Sequence, residues 1–264
     1  MPDADLSMAV PAVFFGAVGT AGQRCTSTRR LYLHRSIAPS FLARLLDLYK
    51  NLQPGDPLAP ATLLGPLHNR AAVDIYNNAI TRLQDAGAEI LTGGSPYSSS
   101  DLRDPTLVGG NWVQPTVAVP SKVDLSSDIW RTETFAPILT VGVFDELEEA
   151  IAWNNGVPQG LSSSLWTRDV RNVGRWIGPE GSDAGIVNVN VGTSGAEIGA
   201  GFGGNKVRAD VDSSMVVYEA ERAHVDTLDS SNRARDGTSV SSHLRLFFVT
   251  LRTLRLMARC EQGT

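Results

Sequence analysis

Short apolar runs alternating with helical stretches predict an α/β fold with a mostly parallel sheet flanked by helices. Three observations carry this. Runs such as Arg30–His34, 137–144 and Ile186–Val189 are short, apolar and β-rich, which suits buried strands. Between them lie longer stretches with apolar residues at helical spacing. Hydrophobic residues make up 42% of the chain and charged ones 19%, ordinary values for a core-forming protein. No internal repeat is present.

In chain order, Asp3 or Asp5 can cap a first helix running toward Gly19, with Pro11 as an interruption. Arg30–His34 reads as a strand. Pro39 suits the first turn of a helix carrying Phe41, Leu42, Leu45, Leu46, Leu48 and Tyr49. Pro54, Gly55 and Pro57 break it. Residues 68–86 predict a second long helix, with Val73, Tyr76, Ile80 and Leu83 on one face and Gly87 as its stop. Residues 88–91 can be a strand. Residues 95–110, rich in Ser, Gly, Pro and Asp, predict a surface loop. Residues 113–119 and 137–144 read as extended. Residues 145–154 predict a helix whose acidic first turn suits the helix dipole. Residues 162–166 predict a strand, Asp169 caps a helix to Ile177, and Ile186–Val189 is a buried strand.

After Lys206 the character changes. Gly and Pro nearly vanish, and arginine replaces lysine. Residues 230–242 are polar enough to predict disorder. Residues 244–257 are apolar with interspersed arginines, readable as a short amphipathic helix or as a sticky, non-native tail.

The formal net charge is −5 and the 23 basic residues form no dense run, which argues against nucleic-acid and stable membrane partners. Two cysteines make no disulfide framework, so a reducing compartment is the default. The acidic start, Met1-Pro2-Asp3-Ala4-Asp5, shows no targeting segment. The expected location is cytoplasmic; a mitochondrial one stays open for a longer form.

Cys25 is the first chemistry-bearing residue. It sits in Gly22-Gln23-Arg24-Cys25-Thr26, directly after an apolar helical run. A thiolate is a strong nucleophile toward carbonyls, and these neighbours offer little to bury it. The alternative is a small hydrophobe in the core. Gly199, Gly201 and Gly204 spell G-x-G-x-x-G, but no strand leads in and no convincing helix follows. A dinucleotide fingerprint needs both, so that reading is rejected.

Seven segments, in one order, carry a resemblance. They are Asp3-Ala4-Asp5-Leu6-Ser7, Gly19-Thr20-Ala21-Gly22-Gln23-Arg24-Cys25-Thr26, Leu64-Gly65-Pro66-Leu67-His68, Thr132-Glu133-Thr134-Phe135-Ala136-Pro137-Ile138-Leu139, Trp153-Asn154-Asn155, Gln159-Gly160-Leu161-Ser162-Ser163-Ser164 and Thr193-Ser194-Gly195-Ala196-Glu197-Ile198-Gly199. Over residues 3–206 the chain resembles the catalytic part of the NAD-dependent aldehyde dehydrogenases. It is most similar to the antiquitin branch, which oxidises α-aminoadipate semialdehyde in lysine breakdown.

The resemblance implies a small aldehyde substrate, NAD as cofactor, no metal, and a homo-oligomer. It implies Cys25 as the nucleophile that forms a thiohemiacetal, with its N–H in the oxyanion hole. Glu133 and Phe135 match the positions that touch the nicotinamide ribose and hold the ring. A carboxylate can accept from two ribose hydroxyls; a solvated surface acid is the plain alternative for Glu133. Arg24 matches a reader of the substrate's distal carboxylate, which a guanidinium can grip with two nitrogens, or it makes a structural ion pair. Gly195 and Ala196 match a substrate-anchoring loop, and Phe202 the aldehyde tunnel.

The resemblance also implies a domain plan. Residues 1–22 would be the last helix of a truncated NAD-binding domain, residues 23–206 the catalytic domain, and residues 207–264 a non-family tail. The family's general-base glutamate, most of its cofactor domain and its oligomerising strand find no match in this sequence. Two function classes follow: a fragment of a dehydrogenase, inactive alone, or a non-catalytic form that binds full-length subunits.

Overall fold

The computed structural model describes residues 1–194, 204 and 206. All of them belong to the first of two units, Met1–Val211; the second is Asp212–Thr264. The predicted disorder and helix in the tail, and Gly199 and Gly201, lie outside the described residues.

Helix α1 spans Leu6–Val18, and its N-cap is Asp5, whose carboxylate accepts from the Ser7 N–H at 3.0 Å. Pro11 does not interrupt it, contrary to the sequence expectation. The ring faces solvent, so the cost is one missing N–H bond, and burial of Val10, Val13 and Val18 offsets it. Then come β1 (Arg30–His34), α2 (Ala38–Asn51), α3 (Arg70–Asp85) and β2 (Glu89–Thr92). They are followed by β3 (Thr116–Val119), α4 (Asp128–Arg131) and β4 (Ile138–Phe144). Last are α5 (Leu147–Asn155), β5 (Ser162–Leu165), α6 (Val170–Ile177) and β6 (Ile186–Val189).

Strands β1, β4 and β3 are parallel neighbours, and β2 adds an antiparallel edge, giving the order β1-β4-β3-β2. Strand alternation splits the side chains between two faces. Leu31, Leu33, Val117, Leu139 and Val141 pack with Val13, Phe41 and Leu45 from α1 and α2. Ala118 and Ile138 face the other way, onto Val73, Tyr76, Ile80 and Leu83 of α3. The sheet is therefore covered on both faces, which explains why β4 reads as a nearly continuous apolar run. Strands β5 and β6 form a separate parallel pair.

Element boundaries follow capping chemistry more than apolar period. Helix α3 starts at Arg70 because Asn69 caps it, accepting from the Ala72 N–H at 2.9 Å. Helix α5 starts at Leu147, after a capping box between Glu146 and Glu149, so Asp145 lies outside it and grips Arg35 instead. Strand β3 is shorter than the extended run from Val113, since Pro115 has no N–H for the ladder. Helix α4 has no signature in the sequence. Among the described residues no helix is long and apolar enough to cross a membrane.

Candidate active site

Three consecutive residues after α1 take left-handed backbone: Thr20 (φ 56°), Ala21 (φ 53°) and Gly22 (φ 69°). For the two with side chains this costs about 1–2 kcal/mol each, so the surroundings must hold the turn. They do. A Cβ on Gly22 would stand 2.5 Å from the Ala136 carbonyl oxygen and 2.8 Å from the Pro137 nitrogen. Only glycine lets the root of the Cys25 loop touch the root of the Glu133–Phe135 loop backbone to backbone.

Side chains then brace the Cys25 loop. Gln23 donates to the Pro66 carbonyl at 3.2 Å and accepts from the His68 N–H at 3.0 Å. The Thr28 N–H donates to the Gly16 carbonyl at 2.9 Å, and the Thr28 and Thr193 hydroxyls pair at 2.7 Å. Cys25 stands exposed between these braces. Its N–H donates to no acceptor among the described residues.

The second loop faces it. Phe135 has φ 54° and its ring is partly exposed. The Glu133 side chain is largely buried and accepts from the Arg29 Nε at 2.8 Å. Arg29 also donates through Nη2 to the Gly22 carbonyl at 3.2 Å and the Arg24 carbonyl at 3.1 Å. Its guanidinium lies 4.9 Å from the centre of the Phe135 ring. Burial draws the Arg29 guanidinium below its ordinary range, while the charges of Glu133 and Cys25 oppose that shift. A cavity of about 240 Å³ is lined by Cys25, Thr28, Arg29, Glu133 and Thr193, among others.

Arg24 is held by the end of α1. Its Nε donates to the Thr20 hydroxyl at 2.8 Å, and its guanidinium lies 4.9 Å from the Phe15 ring centre. It makes no ion pair among the described residues, and its terminal nitrogens have no partner there. Cys25 is not core, and Glu133 is not a solvated surface acid. Gly195, Ala196 and Phe202 lie outside the described residues. No group of three or more His, Cys, Asp and Glu among those residues could hold a metal ion.

The Cys25 loop and the Glu133 loop thus line one cavity. The profile of the aldehyde dehydrogenase family matches residues 1–209. The chain belongs to the aldehyde dehydrogenase family. It is 51% identical over 208 residues to aldehyde dehydrogenase family 7 member A1 of Pisum sativum, covering 78% of this chain and 38% of that one. It is 48% identical over 204 residues to the alpha-aminoadipic semialdehyde dehydrogenase of Mus musculus, covering 77% of this chain and 36% of that one. The chain thus spans little more than a third of these relatives.

Solved aldehyde dehydrogenase structures share the fold. A 3,6-anhydro-L-galactose dehydrogenase in complex with NAP superposes with a TM-score of 0.70 at 29% identity, covering 78% of this chain and 41% of that one. Betaine aldehyde dehydrogenase from Staphylococcus aureus in complex with NAD⁺ gives 0.69 at 28% identity, covering 77% and 39%.

Arg29 is the site residue that motif reading passed over. Its one sequence signal is position: it follows Cys25 by four residues and sits just before β1, where the chain turns inward.

Proposed function

We propose that this chain carries the nucleophile of an NAD-dependent aldehyde dehydrogenase that oxidises α-aminoadipate semialdehyde, or a similar aldehyde with a distal carboxylate, to the acid. The observation that carries the reading is the meeting of the exposed Cys25 loop with the Glu133–Phe135 loop through Gly22 and Arg29. In this reading the Cys25 Sγ adds to the aldehyde carbon and forms a thiohemiacetal. The carbonyl oxygen takes the negative charge, and the Cys25 N–H donates to it. Arg24 offers its two terminal nitrogens, without partners among the described residues, to the distal carboxylate, while Thr20 and Phe15 hold the rest of the side chain.

The cofactor's nicotinamide end fits the residues present. One Glu133 oxygen is held by Arg29 and the other has no hydrogen-bond partner among the described residues, and the Phe135 ring offers a partly exposed apolar face. When bound, NAD supplies the hydride acceptor. We propose that residues 1–22 close a cofactor-binding part, that residues 23–206 form the catalytic domain, and that residues 207–264 are a non-family tail. Turnover also needs a general base and phosphate-binding groups, roles that this reading assigns to none of the described residues.

The test grafts residues 1–206 into the pea relative in place of the matching segment. The graft should oxidise α-aminoadipate semialdehyde with NAD, and Cys25→Ala should abolish this. Arg24→Ala should lower the preference for that substrate over hexanal by about tenfold or more, the worth of one charge-assisted hydrogen bond. The isolated chain should produce NADH no faster than its Cys25→Ala form. A folded graft that oxidises no aldehyde overturns the reading.

A further inference from the structure

Arg29 is a buried cation with an unusual set of partners. One nitrogen pairs with Glu133 at 2.8 Å, and another spans the carbonyls of Gly22 and Arg24, at 3.2 and 3.1 Å, on the N-terminal side of Cys25. The guanidinium lies over the Phe135 ring, 4.9 Å from its centre. A lysine has neither the fork nor the plane to make these contacts together. The side chain is 18% exposed and that of Glu133 22%, so water screens the pair only in part. The charged side chains on these two loops are Arg24, Arg29 and Glu133, with Arg131 at the end of α4 just before the second loop. Arg24 turns toward Phe15 and Thr20, while Arg131 is exposed and donates to the Leu125 carbonyl. Arg29 and Glu133 are the two that both line the cavity with Cys25 and bond each other.

We propose that Arg29 is a positioning residue of this site: it fixes the Cys25 loop and Glu133 in register, and it is the built-in cation that balances Glu133 beside the thiol. The inference rests on Cys25 being the reactive thiol of the proposed function. It assigns Arg29 no contact with the reacting atoms. Removing it leaves Glu133 uncompensated next to Cys25; removing the Glu133 charge leaves Arg29 uncompensated. The two changes therefore shift the local potential in opposite directions, which a general loosening of the fold cannot do.

The experiment uses the whole chain and two alkylating probes, the anionic iodoacetate and the neutral iodoacetamide, with labelling of Cys25 followed by peptide mass spectrometry. The rate ratio of anionic to neutral probe reads the potential at the thiol. Arg29→Met should lower that ratio about threefold, Glu133→Gln should raise it about threefold, and the double variant should return close to the unaltered chain. Adding salt should shrink all three shifts. Arg29→Lys should restore the ratio more fully than the loop order, seen as faster amide exchange over residues 22–28. If Arg29→Met loses its circular dichroism spectrum, Glu133→Gln carries the test: the ratio rises or the proposal falls. A ratio that stays put, or moves the same way in both variants, overturns the inference alone. A Cys25 inert to both probes in the unaltered chain overturns the functional reading, and this inference with it.

Discussion

The two sheets of this molecule are built from different materials. In the four-stranded sheet, Val117, Leu139 and Val141 are fully buried and apolar contacts close both faces. In the two-stranded sheet, every β6 residue is only half-buried; Val187 and Val189 pack with Leu147, Leu165 and Trp176, and hydroxyls and amides bond around the pair. Ser163 and Ser182 pair at 2.6 Å in the interior, and Ser162 donates to the Thr193 carbonyl at 2.9 Å. Asn190 bonds both the N–H and the carbonyl of Thr167, at 3.0 and 2.8 Å. The Cys25 loop touches both regions, through Gly22 at Ala136 and through Thr28 at Thr193. Backbone packing at Gly22 thus sets one end of the Cys25 loop, and a hydroxyl pair at Thr28 holds the other.

The seam at Gly22 should be the most sensitive point. Gly22→Ala adds a Cβ into the Ala136 carbonyl at a left-handed residue, so it should cost about 4 kcal/mol in urea unfolding. A loss under about 1 kcal/mol would mean the two loops separate freely. Next comes the apolar sheet. Leu139→Ala should cost about 3 kcal/mol, since the site is closed on all sides. Ser182→Ala in the polar region should cost about 2 kcal/mol, because the Ser163 hydroxyl loses its partner and the Asn154 amide one of its two. Equal costs at Leu139 and Ser182 in parallel urea titrations would erase the contrast between the sheets.

The smallest effect concerns Asp3 and carries a pH signature. Burial pushes its carboxyl up, but the Arg168 N–H, the Thr167 hydroxyl and the Asp169 N–H together hold it below its ordinary value of 3.8. A depressed folded value means the contribution is complete above the unfolded value and fades as pH falls through the folded one. Asp3→Asn should therefore cost about 1 kcal/mol at pH 7, and the gap to the unaltered chain should narrow below about pH 4. A gap that widens on acidification would reverse the sign of this account.

The contrast between the sheets also explains what the sequence disclosed. Period and apolar runs marked β1, β4, α2 and α3, because burial on covered faces writes itself into residue type. The motif order placed Cys25, Glu133 and Phe135, and the fold brings their loops together. Arg29 escaped because an arginine next to another arginine reads as surface charge, and only tertiary structure shows its buried partners. Pro11 misled because local propensity weighs a proline without the packing that tolerates it. The polar pairs around β6 have no period at all, so nothing in the pattern of Ser, Asn and Thr foretold them.

The central claim is that Cys25 is a nucleophile presented by the fold. Iodoacetamide labelling of the folded chain at neutral pH, followed peptide by peptide, tests it most directly. Cys25 should label faster than Cys260, because its loop leaves the thiol exposed. Slower labelling at Cys25 than at Cys260 would contradict it.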